Sequence, residues 1–120
     1  MEHRIQFLRD SKGQAIGCLA IKAESNVGRN GGYTTITYQM SVLNPLDKFD
    51  RKMARQLALG RLVESPISLT MRDSTPHRKA ITQLVMENIK NDPLAPTRAR
   101  KAANLWLRED KLLKHRATHR

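Results

Sequence analysis

The stretch Tyr33–Leu62, YTTITYQMSVLNPLDKFDRKMARQLALGRL, changes its hydrophobic period partway along, and that change decides the fold. From Tyr33 to Val42 the residues alternate, with Ile36, Tyr38, Met40 and Val42 on one side and Thr35, Thr37, Gln39 and Ser41 on the other. A period of two in β-branched and aromatic residues is a strand with one apolar face and one wet or polar-covered face. Leu43-Asn44-Pro45 ends it, and the spacing from about Leu46 to Val63 is helical. At about 100° per residue, Phe49, Met53 and Leu57 share one narrow sector while Lys48, Arg51, Lys52 and Arg55 take the opposite side. The expectation is that the first set holds the sheet and the second faces outward. Asp47 and Asp50 stand at the start, where they suit capping and the helix dipole, and no acid follows until Glu64.

Upstream, HRIQFLR (His3–Arg9) reads as a strand with Ile5 and Phe7 on one face, and DSKGQ supplies the residues of a tight turn. The returning run AIGCLAIKA (Ala15–Ala23) is apolar on both faces and interrupted by Gly17, which points to a buried central strand with a bulge or close backbone approach at the glycine. ESNVGRNGG follows as a flexible connection with Arg29 exposed at its tip.

Downstream, SPISLTM reads as a short fourth strand with Ile67, Leu69 and Met71 inward. DSTPHRKAITQLVMENIKND places Ser74 or Thr75 at an N-cap and Pro76 at the first helical position, with Ile81, Leu84, Val85 and Ile89 along one stripe as far as Asn91. After Pro93 and Pro96 a last helix is expected from about Thr97 to His115. On it Ala99, Ala102, Ala103, Trp106 and Leu113 share one side, and Arg100, Lys101, Arg108, Lys111 and His115 the other. These readings define an α+β fold, an antiparallel sheet of about four strands in the order β-β-β-α-β-α-α packed against helices. A single domain spans residues 1–115, followed by a basic tail at 116–120.

The chain has 120 residues, enough for one modest core without disulfides or metal. Lys and Arg number 22 against 11 acids, a formal charge of +11 with a pI near 10.6. Such a balance repels itself and favours a polyanionic partner. Cys18, the single cysteine, excludes an intramolecular disulfide and a thiolate zinc cluster, and its apolar surroundings suit packing rather than reaction. No apolar run reaches the roughly 20 residues of a membrane span, and MEHRIQFLRD lacks the apolar centre of a signal peptide, so a cytoplasmic protein is expected.

The basic residues are segregated rather than interspersed with acids, which is the arrangement that phosphate contacts require. The candidate contacts are Lys48, Arg51, Lys52, Arg55 and Arg61 on the first helix, Arg100, Lys101, Arg108 and Lys111 on the last, and Arg29 in the loop. If the two basic faces adjoin, they form one surface able to neutralise about 4 to 8 phosphates of DNA or RNA. If they point apart, that reading loses most of its force. No helix-turn-helix, zinc-finger or basic-zipper spacing is present, and Tyr33 and Trp106 are the candidates for stacking on a single strand, with packing in the core as the plainer reading of both.

The run SVLNPLDKFDRKMARQLALGRL, Ser41–Leu62, resembles a segment of small accessory proteins of tailed phages and related mobile elements. There a strand leads through Pro and Asp-x-Phe into an Arg-Lys-x-x-Arg helix ending Gly-Arg-Leu. The resemblance covers about a fifth of the chain. It implies a non-enzymatic binder or inhibitor acting in the host cytoplasm during host takeover. The alternative to a nucleic-acid binder is therefore an inhibitor of an acidic host protein or of a nucleic-acid-loaded defence complex such as a CRISPR effector. In that case Leu59 and Leu62, toward the basic side, are candidate apolar anchors, with burial under the fourth strand as the plainer reading.

Catalytic sets are scarce. Three strands, a helix and a strand are similar to the beginning of a ribonuclease-H-like fold, in which Asp10 and Asp73 would be the metal-binding candidates. The first helix offers bases where such a site wants an acid, so Asp10 reads better as a turn residue and Asp73 as a helix-leading residue. His115 and His119 have the spacing of a helical metal pair without a third ligand. NVGRNGG lacks the Gly-Lys-Ser/Thr ending of a phosphate loop, and no cofactor is indicated.

Overall fold

The structure, a computed structural model, describes residues 3–29, 31–44 and 46–118, with side chains as far as Glu109. Its elements are β1 (His3–Arg9), β2 (Ala15–Gly28), β3 (Gly31–Val42), α1 (Arg51–Glu64), β4 (Ile67–Met71), α2 (Arg78–Asn91) and α3 (Thr97–Thr118). The strands form one antiparallel sheet in the order β1-β2-β3-β4. This is the α+β architecture and element order that the sequence periods indicate. The last helix runs past His115 to Thr118.

The β1–β2 turn is fixed by Asp10, whose carboxylate accepts the N–H groups of Lys12 and Gln14 at 2.9 and 3.0 Å, and by Gly13 at φ 79°. Pairing then slips between Leu8 and Arg9, which face Gly17 and Ala15, so that Ile16 is an extra residue in β2. Gly17 is where backbones crowd, since a Cβ there would lie 2.5 Å from the Ser41 carbonyl oxygen.

One correction concerns Glu24–Gly32, expected as a flexible connection. Instead β2 continues to Gly28, and Gly28 faces Gly31, so the connection shrinks to residues 29–30. Polar side chains support these extended strands: Asn26 donates to the Glu24 carbonyl and the Thr35 hydroxyl, and Ser25 donates to the Ser74 carbonyl. Arg29 is exposed at the tip, as expected.

The two sheet faces differ. Leu8, Leu19, Ile21, Ile36, Tyr38 and Met40 form the larger core with Ile81, Val85, Met86 and Ile89 of α2. Ala99, Ala102, Ala103 and Leu107 of α3 complete it, with Trp106 packed at its margin. Cys18 and Ala20 lie on the other face, covered by Ala54, Ala58 and Leu62 of α1, with Ile5, Phe7, Phe49 and Leu59 around them. Helix α1 thus lies on one side of the sheet, and α2 and α3 on the other.

This placement corrects the expected core face of α1. Met53 is 58% and Leu57 48% exposed, whereas Ala54 and Ala58 are buried. The helix starts at Arg51 rather than near Leu46, and Phe49 packs from the segment before it. Opposite α1 the sheet presents the small side chains Cys18, Ala20 and Ser41, and the Ser41 hydroxyl donates to the Ala54 carbonyl at 2.8 Å. Small side chains on the helix permit that approach. A Met or Leu there would hold the backbone away.

The start of α2 is also corrected, because its N-cap is His77 rather than Ser74 or Thr75. Residues 73–75 are already committed: the Asp73 carboxylate accepts the Thr75 N–H, and the Asp73 and Ser74 carbonyls accept the Thr34 and Ser25 hydroxyls. These bonds tie the segment to the long β2–β3 hairpin, and the helix begins after it.

Candidate functional site

Asp50 caps α1, accepting the Met53 N–H at 3.2 Å, and the first turn then carries no acid. Arg51 lies over the ring of Phe7, 5.3 Å from its centroid, and Phe49 meets that ring edge-on at 6.0 Å. Both contacts fix the start of the helix against β1. Arg51, Lys52 and Arg55 are exposed and line a shallow depression with Phe7, Gln56 and Leu59.

Arg55 and Phe7 also border a cleft of about 630 Å³ at the N-terminal end of β1, lined further by His3, Arg4, Ile5, Ile21, Ala23, Arg78 and Ile81. The two depressions therefore meet at Phe7 and Arg55 and run around the β1 edge of the sheet, with Arg51, Lys52 and Arg55 on the α1 side and Arg4 and Arg78 on the α2 side. Among the described residues, no acid lines either.

Arg4 projects from the larger-core face of β1, where its guanidinium donates to the Thr82 hydroxyl and, at 3.1 Å, to the Arg78 carbonyl. Burial, and then the Arg78 charge beside it, lower the Arg4 pKa from its ordinary value. Cys18, beneath α1, has its thiol pKa raised by burial, with nearby Arg55 acting the other way. Burial, not activation, dominates that thiol.

The remaining sequence-derived candidates are dispersed. Lys48 precedes the helix and is exposed beside a groove that it lines with Asp47, Asp50, Phe49, Met53 and Leu57. Arg61 donates to the Met40 carbonyl at 2.9 Å, tying α1 to β3. On α3, Lys101 and Arg108 are exposed, but Arg100 is half-buried, donates to the Thr97 hydroxyl, and has a buried Nε without a partner among the described residues. The side chains of Lys111, Leu113 and His115, and all of His119, lie outside the described residues. The exposed bases of α1 and α3 are thus divided between opposite sides of the sheet.

Asp10 and Asp73 follow the C-terminal ends of β1 and β4, which the antiparallel order sets at opposite ends of the sheet. Each carboxylate is engaged with amides of its own turn. Among the described residues no group of His, Cys, Asp and Glu is gathered for a metal ion. No helix among them is long and apolar enough to cross a membrane.

Sequence reasoning missed His3, Arg4 and Arg78. One signal was present: His77, Arg78 and Lys79 crowd the start of a helix, where the dipole favours acids. No family model, curated protein or solved structure matches the chain.

Proposed function

We propose that this chain is a small basic non-enzymatic nucleic-acid-binding protein that meets the phosphate backbone with the outward side of α1 and the cleft beside it. The observation that carries this reading is the continuity of Arg51, Lys52 and Arg55 with Arg4 and Arg78 across depressions that no described acid lines. Phosphates exchange their counterions for such a surface, and the gain grows with each cation engaged. The exposed bases of α3, Lys101 and Arg108, line neither depression and are not part of this surface.

The test is a mobility-shift titration with duplex DNA, single-stranded DNA and RNA at low and physiological salt. Wild-type protein binds and weakens as salt rises. Reversing Arg51, Lys52 and Arg55 together to Glu abolishes the shift while circular dichroism stays the same, because exposed charges contribute little to stability. Wild-type protein that shows no salt-sensitive binding to any of the three overturns the reading.

A second reading, an inhibitor that docks on a host protein, is favoured by the exposed apolar side chains of Met53 and Leu57 beside Phe49. Leu59 and Leu62 are not available as its anchors, being half-buried and buried over Cys18 and Ala20. A complex captured from nuclease-treated lysate, and lost on Leu57→Gln, would replace the first reading with this one.

A further inference from the structure

The two edges of the sheet are built differently. On β1 the edge carries His3, Arg4 and Arg9, and its pairing slips between Leu8 and Arg9, features that keep a further strand away. On β4 the edge strand reads Ile67-Ser68-Leu69-Thr70-Met71, without a charge, a proline or a register shift. It pairs with β3 on one side, and no backbone bond of a turn, loop or cap among the described residues reaches it. Where β3 runs past Ile67, by contrast, Arg61 takes the Met40 carbonyl.

Charge narrows what can pair there. The chain carries +11, yet from Leu62 to Thr75 its charged residues are Glu64, Arg72 and Asp73, two acids and one base. This edge therefore has little attraction for a phosphate, and a second copy meets no local surplus of like charge. A copy of β4 laid antiparallel also fits β4 residue by residue. Centred on Leu69, the pairing sets Ile67 opposite the partner subunit's Met71 and Ser68 opposite the partner subunit's Thr70, each reciprocally. Ile67 and Leu69 share the side of Tyr38 and Ile36, with Met71, whereas Ser68 and Thr70 share that of Thr37 and Thr35. Apolar side chains thus meet apolar ones, and hydroxyls meet hydroxyls. The Arg72 end of each strand then lies beside the Glu64 end of the other.

We propose that the chain forms a two-fold dimer through β4, joining two four-stranded sheets into one continuous sheet. Ile67, Leu69 and Met71, each half-buried, are closed over by their counterparts, and the backbone groups of the free edge gain partners. Antiparallel pairing demands a two-fold axis normal to the sheet, which keeps both α1 helices on one side. The two α1 surfaces then face the same way, although the dimer does not depend on what they bind.

Sedimentation equilibrium tests it, using the full chain freed of nucleic acid by nuclease treatment, at physiological salt and over a concentration series. The mass should rise toward twice 13.7 kDa. Ser68→Lys combined with Thr70→Lys sets lysine against lysine at both reciprocal positions and should weaken association about tenfold. Circular dichroism should stay the same, because both side chains are exposed. Ser68→Lys combined with Thr70→Glu charges the same positions but opposes lysine to glutamate, and should keep the dimer. Wild-type protein that stays at 13.7 kDa throughout overturns the inference, and so do two double variants that both associate like wild type. Loss of the dimer in both overturns the pairing about Leu69. None of these outcomes bears on whether α1 binds nucleic acid, which the mobility shift decides.

Discussion

At Gly17 the sheet has no room for a side chain. The atoms that an added Cβ would meet are the Ser41 carbonyl oxygen at 2.5 Å and the Val42 Cα at 3.3 Å, both backbone atoms held in the β2–β3 pairing. No rotamer change relieves such a contact, so the strands themselves must part. Gly17→Ala should therefore cost about 1–3 kcal/mol despite its better strand propensity, read as a lower urea midpoint with an unchanged m-value. An unchanged midpoint would show that β2 and β3 separate freely there. This position was legible in the sequence, because a glycine inside an apolar strand is costly unless a bulge or a close approach requires it. Arg4 was not. It belongs to a strand whose alternation reads the same whether that arginine is solvated or pinned, and its partner Thr82 lies 78 residues along the chain. Only the folded chain joins them.

At the scale of elements, the helical period of Arg51–Glu64 was legible but its rotation about the axis was not. The largest apolar side chains point to Phe49, Met53 and Leu57, yet the helix turns Ala54, Ala58 and Leu62 to the sheet. The reason lies in how closely the helix approaches the sheet: Cys18, Ala20 and Ser41 are small, Ala54 and Ala58 meet them, and the Ser41 hydroxyl reaches the Ala54 carbonyl. Volume at this layer is conserved by pairing small with small. Ala58→Leu should accordingly cost about 1–3 kcal/mol by lifting α1 from β2 and β3. Met53→Gln, at a more exposed position, should fall within about 0.5 kcal/mol of wild type. Thermal unfolding of the two variants decides between the settings. A larger loss from Met53→Gln than from Ala58→Leu would restore the face that hydrophobicity alone suggests.

At the scale of the molecule, the net charge of +11 was legible from composition, but its division between two sides was not. That division follows from the strands. The Ile36, Tyr38 and Met40 side of β3 is the more apolar and receives α2 and α3, whereas α1 covers part of the side bearing Gln39 and Ser41. A nucleic acid lying along α1 therefore has Lys101 and Arg108 on the far side of the sheet. At about 0.15 M salt, charges further apart than about 8 Å are largely screened. Replacing Lys101 and Arg108 together with Ala should leave affinity within about twofold and the salt slope unchanged. Single replacements of Lys52 or Arg55 with Ala should each lower the slope of log K against log salt by about 0.7 to 0.9, the loss of one phosphate contact. A slope that falls equally for the α3 pair would mean that the partner wraps both sides of the sheet, a geometry open to a flexible single strand and closed to a short straight duplex. The same slopes taken with duplex and single strand therefore report how far around the molecule the bound strand reaches.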